Sequence, residues 1–118
     1  MRYNSAARKW FKVRWGLYKK GLVQDHHVIP KVFKKHPIVV KSKFDIHASE
    51  NIVMLPTQMG KASLQVREDR LIHNGCHRAY NKFVGNMLDC IQTEHDFQEF
   101  VKYLKISCRY KPYQIPWY

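Results

Sequence analysis

The chain has 118 residues, with 21 Lys and Arg against 9 Asp and Glu, and a net charge of +12 when every histidine is neutral. That length holds one domain and hardly two, and 45% apolar residues with 14% aromatics are enough for a modest core, which excludes a wholly disordered chain. The longest aliphatic runs, Ile38-Val39-Val40 and Ile52-Val53-Met54-Leu55, fall far short of the roughly 20 apolar residues of a membrane-spanning helix, so no membrane association is expected.

Charge is unevenly placed. Residues 1–41 carry eleven Lys and Arg and one acid, Asp25, whereas residues 42–118 carry ten against eight. A basic N-terminal third points to a polyanionic partner, with nucleic acid favoured over an acidic membrane surface. Cys76, Cys90 and Cys108 form no Cys-x-x-Cys pair, so neither a disulfide framework nor a cysteine zinc site is expected. No apolar segment follows the early basic residues as in a signal peptide, which predicts an intracellular protein; residues 1–24, basic and acid-free, leave an organelle presequence open.

In chain order, residues 6–20 have the spacing of a basic helix, with Trp10, Val13 and Leu17 on one side and Gly16 and Gly21 weakening its end. Residues 21–30 read as a short strand and turn, and Pro30 can open a helical turn that His36-Pro37 closes. Residues 38–50 read as irregular, and residues 51–56 as a second strand closed by Pro56. A helix is expected over 61–72. Tyr80, Phe83, Val84, Met87, Leu88 and Ile91 follow at helical spacing, the best amphipathic pattern in the chain. Thr93, with Glu94 and Asp96 after it, starts a last helix that presents Phe97, Phe100, Val101 and Leu104, and Pro112 and Pro116 mark an irregular aromatic tail. The sum is an α+β class with a short β-hairpin and several helices.

Seven histidines are many for this length, and their placement matters more than their number. His73 and His77 lie four apart, which on a helix puts both imidazoles on one face. Gly75 between them disfavours a helix interior and leaves open a turn at His73. His26 and His27 are adjacent on a strand and point to opposite faces, so one can ligate an ion while the other addresses something else. Three imidazoles with open coordination positions suit a catalytic metal rather than a closed structural one. Either pair taken alone is a weak signal. His36, His47 and His95 are expected to be ordinary surface or core histidines.

Order adds weight. Asp25-His26-His27-Val28-Ile29-Pro30 is followed by Phe44-Asp45-Ile46-His47, by Asn51-Ile52-Val53-Met54-Leu55-Pro56, and by His73-Asn74-Gly75-Cys76-His77-Arg78-Ala79-Tyr80-Asn81. This series resembles the HNH/endonuclease VII superfamily of ββα-metal (His-Me finger) nucleases, and within it the AHH-type branch. The likeness spans about residues 21–91, and its one departure is Asp25 where that branch has Ala.

The resemblance implies a single HNH-type domain over 1–118: a basic helical segment over 1–20, the motif-bearing core over 21–91, and a helix and tail over 92–118. It implies a metal-dependent endonuclease for DNA, with low sequence specificity of its own, leaving 5′-phosphate and 3′-hydroxyl ends. His27 would be the general base, and Asn51 would hold that imidazole in orientation. His26, His73 and His77 would be ligands of one divalent ion, with Asn81 in reserve should His73 lie too far away. By ligand type the ion is zinc, nickel, cobalt or manganese, with magnesium less natural because it prefers oxygen. Affinity for the ion is expected to fall below about pH 6, where imidazoles take up protons.

Arg8, Lys9, Lys12, Arg14, Lys19, Lys20 and Arg78 are expected to contact backbone phosphates. Trp10 and Trp15 are expected to pack on the domain, stacking on bases being the alternative. Arg67 and Arg70 flank the proposed ligands or pair with Glu68 and Asp69. Two rivals stand beside the DNA nuclease: a ribonuclease using the same site, and a non-catalytic nucleic-acid-binding module held by structural zinc. AHH-type domains often end toxins delivered between bacteria, which implies a cognate immunity protein; a viral, phage or mobile-element nuclease is the other setting.

Overall fold

The computed structural model describes residues 2–17, 21–64, 70–73 and 77–117. Two strands, β1 (Val23–His27) and β2 (Ile52–Pro56), form an antiparallel pair in which His27 faces Ile52 and Val23 faces Pro56. Five helices accompany them: α1 (Ala6–Arg14), α2 (Pro37–Lys41), α3 (Gln58–Ser63), α4 (Arg78–Cys90) and α5 (Glu94–Tyr110). The architecture is α+β with a short hairpin, as the chain-order reading expects. No helix of the described residues is long and apolar enough to cross a membrane.

The hydrophobic centre lies where the hairpin meets α4 and α5. Val28, Val53, Leu55, Tyr80, Phe97 and Leu104 are buried there. The periodic residues of α4 and α5 face inward as their spacing predicts, apart from Met87, which remains exposed. Thr93 caps α5 by accepting the Asp96 N–H at 3.1 Å, and Glu94 and Asp96 lie in the first turn, where acids complement the helix dipole.

Four elements depart from the expected bounds. α1 ends at Arg14, because Gly16 takes a left-handed conformation (φ +70°) that breaks the helical path; residues 18–20 lie outside the described ones. α2 occupies part of the stretch expected to be irregular. Pro37 sits in its first turn, His36 caps it by accepting the Ile38 N–H at 3.3 Å, and Ile38 and Val39 are buried. The helix expected over 61–72 begins earlier and its described part is shorter. Thr57 caps α3 by accepting the Gly60 N–H at 3.0 Å, Leu64 closes it, and residues 70–73 are not helical. A Cβ on Gly60 would lie 1.8 Å from the Leu22 carbonyl oxygen, so α3 can rest on the approach to β1 only with glycine there. The aromatic tail forms a 3-10 turn over Pro112–Gln114, and Ile115 and Trp117 then return to the interior.

Trp10 and Trp15 do not pack on the domain. They are 66% and 62% exposed, and Val13 between them is also exposed. The inward side of α1 is polar instead: Arg8 is its buried residue, and Arg8 and Lys12 both reach Asp25 Oδ2, at 2.8 and 2.9 Å.

Candidate functional site

Strand alternation sorts the residues of β1. Gln24 and His26 point to one face, Asp25 and His27 to the other. On the first face, His26 is buried among His73 and His77, and one ring nitrogen from each of the three lies within 4.8 Å of those of the other two. The ring centroids are 5.3 to 5.4 Å apart. The helical i, i+4 geometry expected for His73 and His77 is not how they meet. His73 lies in the non-helical stretch 70–73, where its N–H donates to the Pro56 carbonyl at 2.9 Å, beside the end of β2. His77 is the residue preceding the first turn of α4.

Neighbouring amides orient two of the rings. Gln24 Oε1 lies 2.6 Å from His73 Nδ1, and Asn81 Oδ1 lies 3.0 Å from His77 Nδ1. An amide oxygen only accepts, so each Nδ1 carries a proton and donates to its neighbour. Asn81, the reserve ligand of the sequence reading, is here the hydrogen-bond partner of His77. His26 Nε2 is buried and has no hydrogen-bond partner among the described residues. Burial, followed by the charges of His73 and His77, pushes the His26 pKa down to about 2; burial and His77 likewise lower that of His73. A buried imidazole nitrogen without a partner, with ring nitrogens of two more histidines close by, suits a borderline-soft divalent cation. His26, His73 and His77 can hold one.

Aromatic rings close the cluster from behind. Trp117 lies 5.0 Å from the His26 ring and 5.2 Å from that of His77, and its Nε1 donates to the Ile72 carbonyl at 3.2 Å. The Tyr80 ring is 5.0 Å from His26, and its hydroxyl donates to the Val28 carbonyl. Neither residue was singled out from sequence as part of the site. Tyr80 falls within the His73–Asn81 motif and at a core position of the helical pattern, but with no role of its own at the site, and Trp117 is far away in the chain.

On the opposite face, His27 Nε2 lies 3.1 Å from His47 Nδ1. The Tyr3 ring packs edge-on against His27 at 4.4 Å and parallel to His47 at 5.4 Å, with the Lys31 ammonium over it. His47 was expected to be an ordinary histidine; its place in the pair could not be read from spacing. Burial first, then Lys31 and His47, push the His27 pKa down to about 4, with Asp25 pulling the other way. The two faces meet at the free edge of β1, where a cavity of about 370 Å³ is lined by His26, His27, His73, His77 and Asn81, with Tyr3 and Lys31 at its side.

Asn51 is fully buried, but it does not hold the His27 imidazole as expected. Its Oδ1 accepts the Ile29 N–H at 2.7 Å, and its Nδ2 donates to the carbonyls of Ile29 and Ile46 at 3.0 and 2.8 Å. The side chain thus pins the backbone just beyond the His pair to the loop that carries His47. The physical reason is burial: a side-chain amide with no access to water bonds the nearest unpaired backbone groups.

The basic residues divide. Arg8 and Lys12, expected to reach phosphates, are mostly buried against Asp25, although both also line a cleft of about 450 Å³ that runs to His73. Burial opposes the Asp25 carboxylate, but Arg8 and Lys12 outweigh it and hold its pKa below the usual range. Lys9, Arg14 and Arg78 are exposed. Lys19, Lys20, Arg67, Glu68 and Asp69 lie outside the described residues. Arg70 donates to the carbonyls of Arg109 and Met54 at 2.8 and 3.1 Å, joining α5 to β2.

The buried histidines couple stability to pH. Burial holds the folded pKa values of His26 and His27 at about 2 and about 4, below the ordinary 6.5, so between 6.5 and those values the unfolded chain binds more protons. Metal-free protein should therefore lose stability as pH falls from about 6.5 toward those values, His26 alone contributing up to about 1.4 kcal/mol per pH unit. Urea unfolding in EDTA at pH 7.5 and 5.5 checks this: the midpoint should be lower at 5.5. Equal midpoints would mean that the imidazoles are not held neutral.

Neither the curated proteins nor the solved structures contain a match to this chain. A family model does match, over residues 16–105: AHH, a nuclease family of the HNH/ENDO VII superfamily with conserved AHH. That span includes the hairpin, the convergent histidines and most of α5, and with it the chain belongs to the AHH nuclease family.

Proposed function

We propose that the protein is a metal-dependent endonuclease that hydrolyses phosphodiester bonds of DNA with little sequence specificity of its own. The observation that carries this reading is the meeting, in one cavity, of a three-imidazole cluster and a fourth imidazole, His27, turned away from it.

His26, His73 and His77 would hold the divalent ion, which supplies Lewis-acid polarisation of a phosphate oxygen and stabilises charge on the departing 3′ oxygen. Gln24 and Asn81, which accept from Nδ1 of His73 and His77, would orient those rings. His27 takes the proton of the attacking water, whose oxygen bonds to phosphorus as the bond to the 3′ oxygen breaks. Asn51 holds the backbone beyond His27 in place. Lys9, Arg14 and Arg78, and the cleft lined by Arg8 and Lys12, supply positive charge along which the strand's phosphates can lie. Three nitrogen ligands favour zinc, nickel, cobalt or manganese over magnesium.

Supercoiled plasmid and a structured RNA, each incubated with the protein and Mn2+ with and without EDTA, test the reading. Relaxed or linear DNA should appear only without chelator. Cleavage of RNA alone would replace the DNA reading with the ribonuclease one, and cleavage unaffected by EDTA would overturn the metal.

A further inference from the structure

The pair formed by His27 and His47 lies outside the cation cluster, and no role assigned so far uses its second member. His27 Nε2 and His47 Nδ1 are 3.1 Å apart, and a single proton lies between them. His47 is itself firmly placed. Its carbonyl accepts the Tyr3 N–H at 2.8 Å, its own N–H donates to Asp45 Oδ1 at 3.0 Å, and its ring stacks on Tyr3. Arg2 pairs with Asp45, and Asn51 ties the Ile46 carbonyl to the backbone beyond His27. Five contacts, two of them with Tyr3, thus hold one imidazole against another at a fixed edge.

We propose that His47 is a positioning residue for the reaction: its Nδ1 accepts the His27 Nε2–H and so selects the His27 tautomer whose Nδ1 lone pair receives the proton from water. The inference rests on the reading of His27 as the base.

The chemistry favours this direction of the bond. A neutral imidazole that is to act as base carries its one proton on the nitrogen away from the water. The Tyr3 ring, with the Lys31 ammonium over it, packs edge-on against His27, and His47 Nδ1, 3.1 Å from His27 Nε2, accepts that N–H. The reverse direction, with His47 Nδ1 donating, would place the His27 proton on Nδ1 and remove the acceptor. The proton taken from water rests on His27 Nδ1.

Steady-state cleavage of plasmid DNA with Mn2+ by the full chain, together with Mn2+ titration, tests the assignment. His47→Leu should lower kcat about 10- to 100-fold while KM and Mn2+ affinity stay within about twofold. His47→Asn, whose Oδ1 replaces Nδ1 as acceptor, should recover most of the rate. In a His27→Ala background His47→Leu should add less than about a twofold loss, because the two act as one unit. Should His47→Leu not fold, His47→Phe keeps the stacking on Tyr3 without an acceptor and carries the same expectation. An unchanged kcat in the leucine or phenylalanine variant, with His27→Ala inactive, overturns the role of His47 alone. Full activity in His27→Ala overturns the reading beneath it.

Discussion

Replacing His27 with alanine should lower the rate of phosphodiester cleavage by about a hundred- to ten-thousand-fold, the range for loss of a positioned general base. The ion and the DNA should still bind. His27 is on the face of β1 opposite His26, and its ring contacts are with Tyr3 and His47, outside the three-imidazole cluster. His26→Ala provides the contrast. It removes a buried member of that cluster, so metal affinity and turnover should fall together. Calorimetric titration with Mn2+ beside a plasmid assay distinguishes the two variants. Loss of metal binding in His27→Ala would show that the two faces of the strand are not separate in function.

Asn51→Leu should be the most damaging change to the fold. The substitution is close in size, yet it leaves the Ile29 N–H and the carbonyls of Ile29 and Ile46 without their side-chain partner in the interior. Each buried orphan costs about 1–3 kcal/mol, so the three together cost on the order of 3–9 kcal/mol. That is a large share of the roughly 5–15 kcal/mol that holds a domain together. The melting temperature should drop by on the order of 10–20 °C, or the variant should fail to fold. Asn51→Asp keeps the acceptor for the Ile29 N–H but sets a carboxylate against two carbonyls, and should rescue little. A leucine variant that melts within about 3 °C of the parent would mean that water replaces the lost bonds.

Much of the scaffold was legible in the chain. The strand containing His26 and His27, the strand after Asn51, and the helices at 78–90 and 94–110 all follow from local signals. Apolar spacing and capping residues are consequences of backbone geometry within a few residues, and such geometry is encoded where it acts. The short helix at 37–41 was missed because Ile38-Val39-Val40 favours strand by composition, whereas Pro37 in the first turn and the His36 cap favour a helix. The exposed Trp10 and Trp15 were misplaced for a related reason. Helical spacing shows which residues share a face, but not whether that face meets the core or is displaced from it by an ion pair such as Arg8–Asp25.

The sequence by itself determined the identity and order of the motif residues, the opposite orientation of neighbouring His26 and His27, and an excess of positive charge near the N-terminus. Only the tertiary structure decided how His73 joins His26 without a helix beneath it, that Trp117 backs the cluster, that Asn51 binds backbone rather than imidazole, and that His47 meets His27. The division follows from distance along the chain. Periodicity reports the direction of a side chain relative to its own backbone, whereas these contacts join residues 20 or more positions apart. Their geometry is set by how separate elements pack, which no local pattern contains.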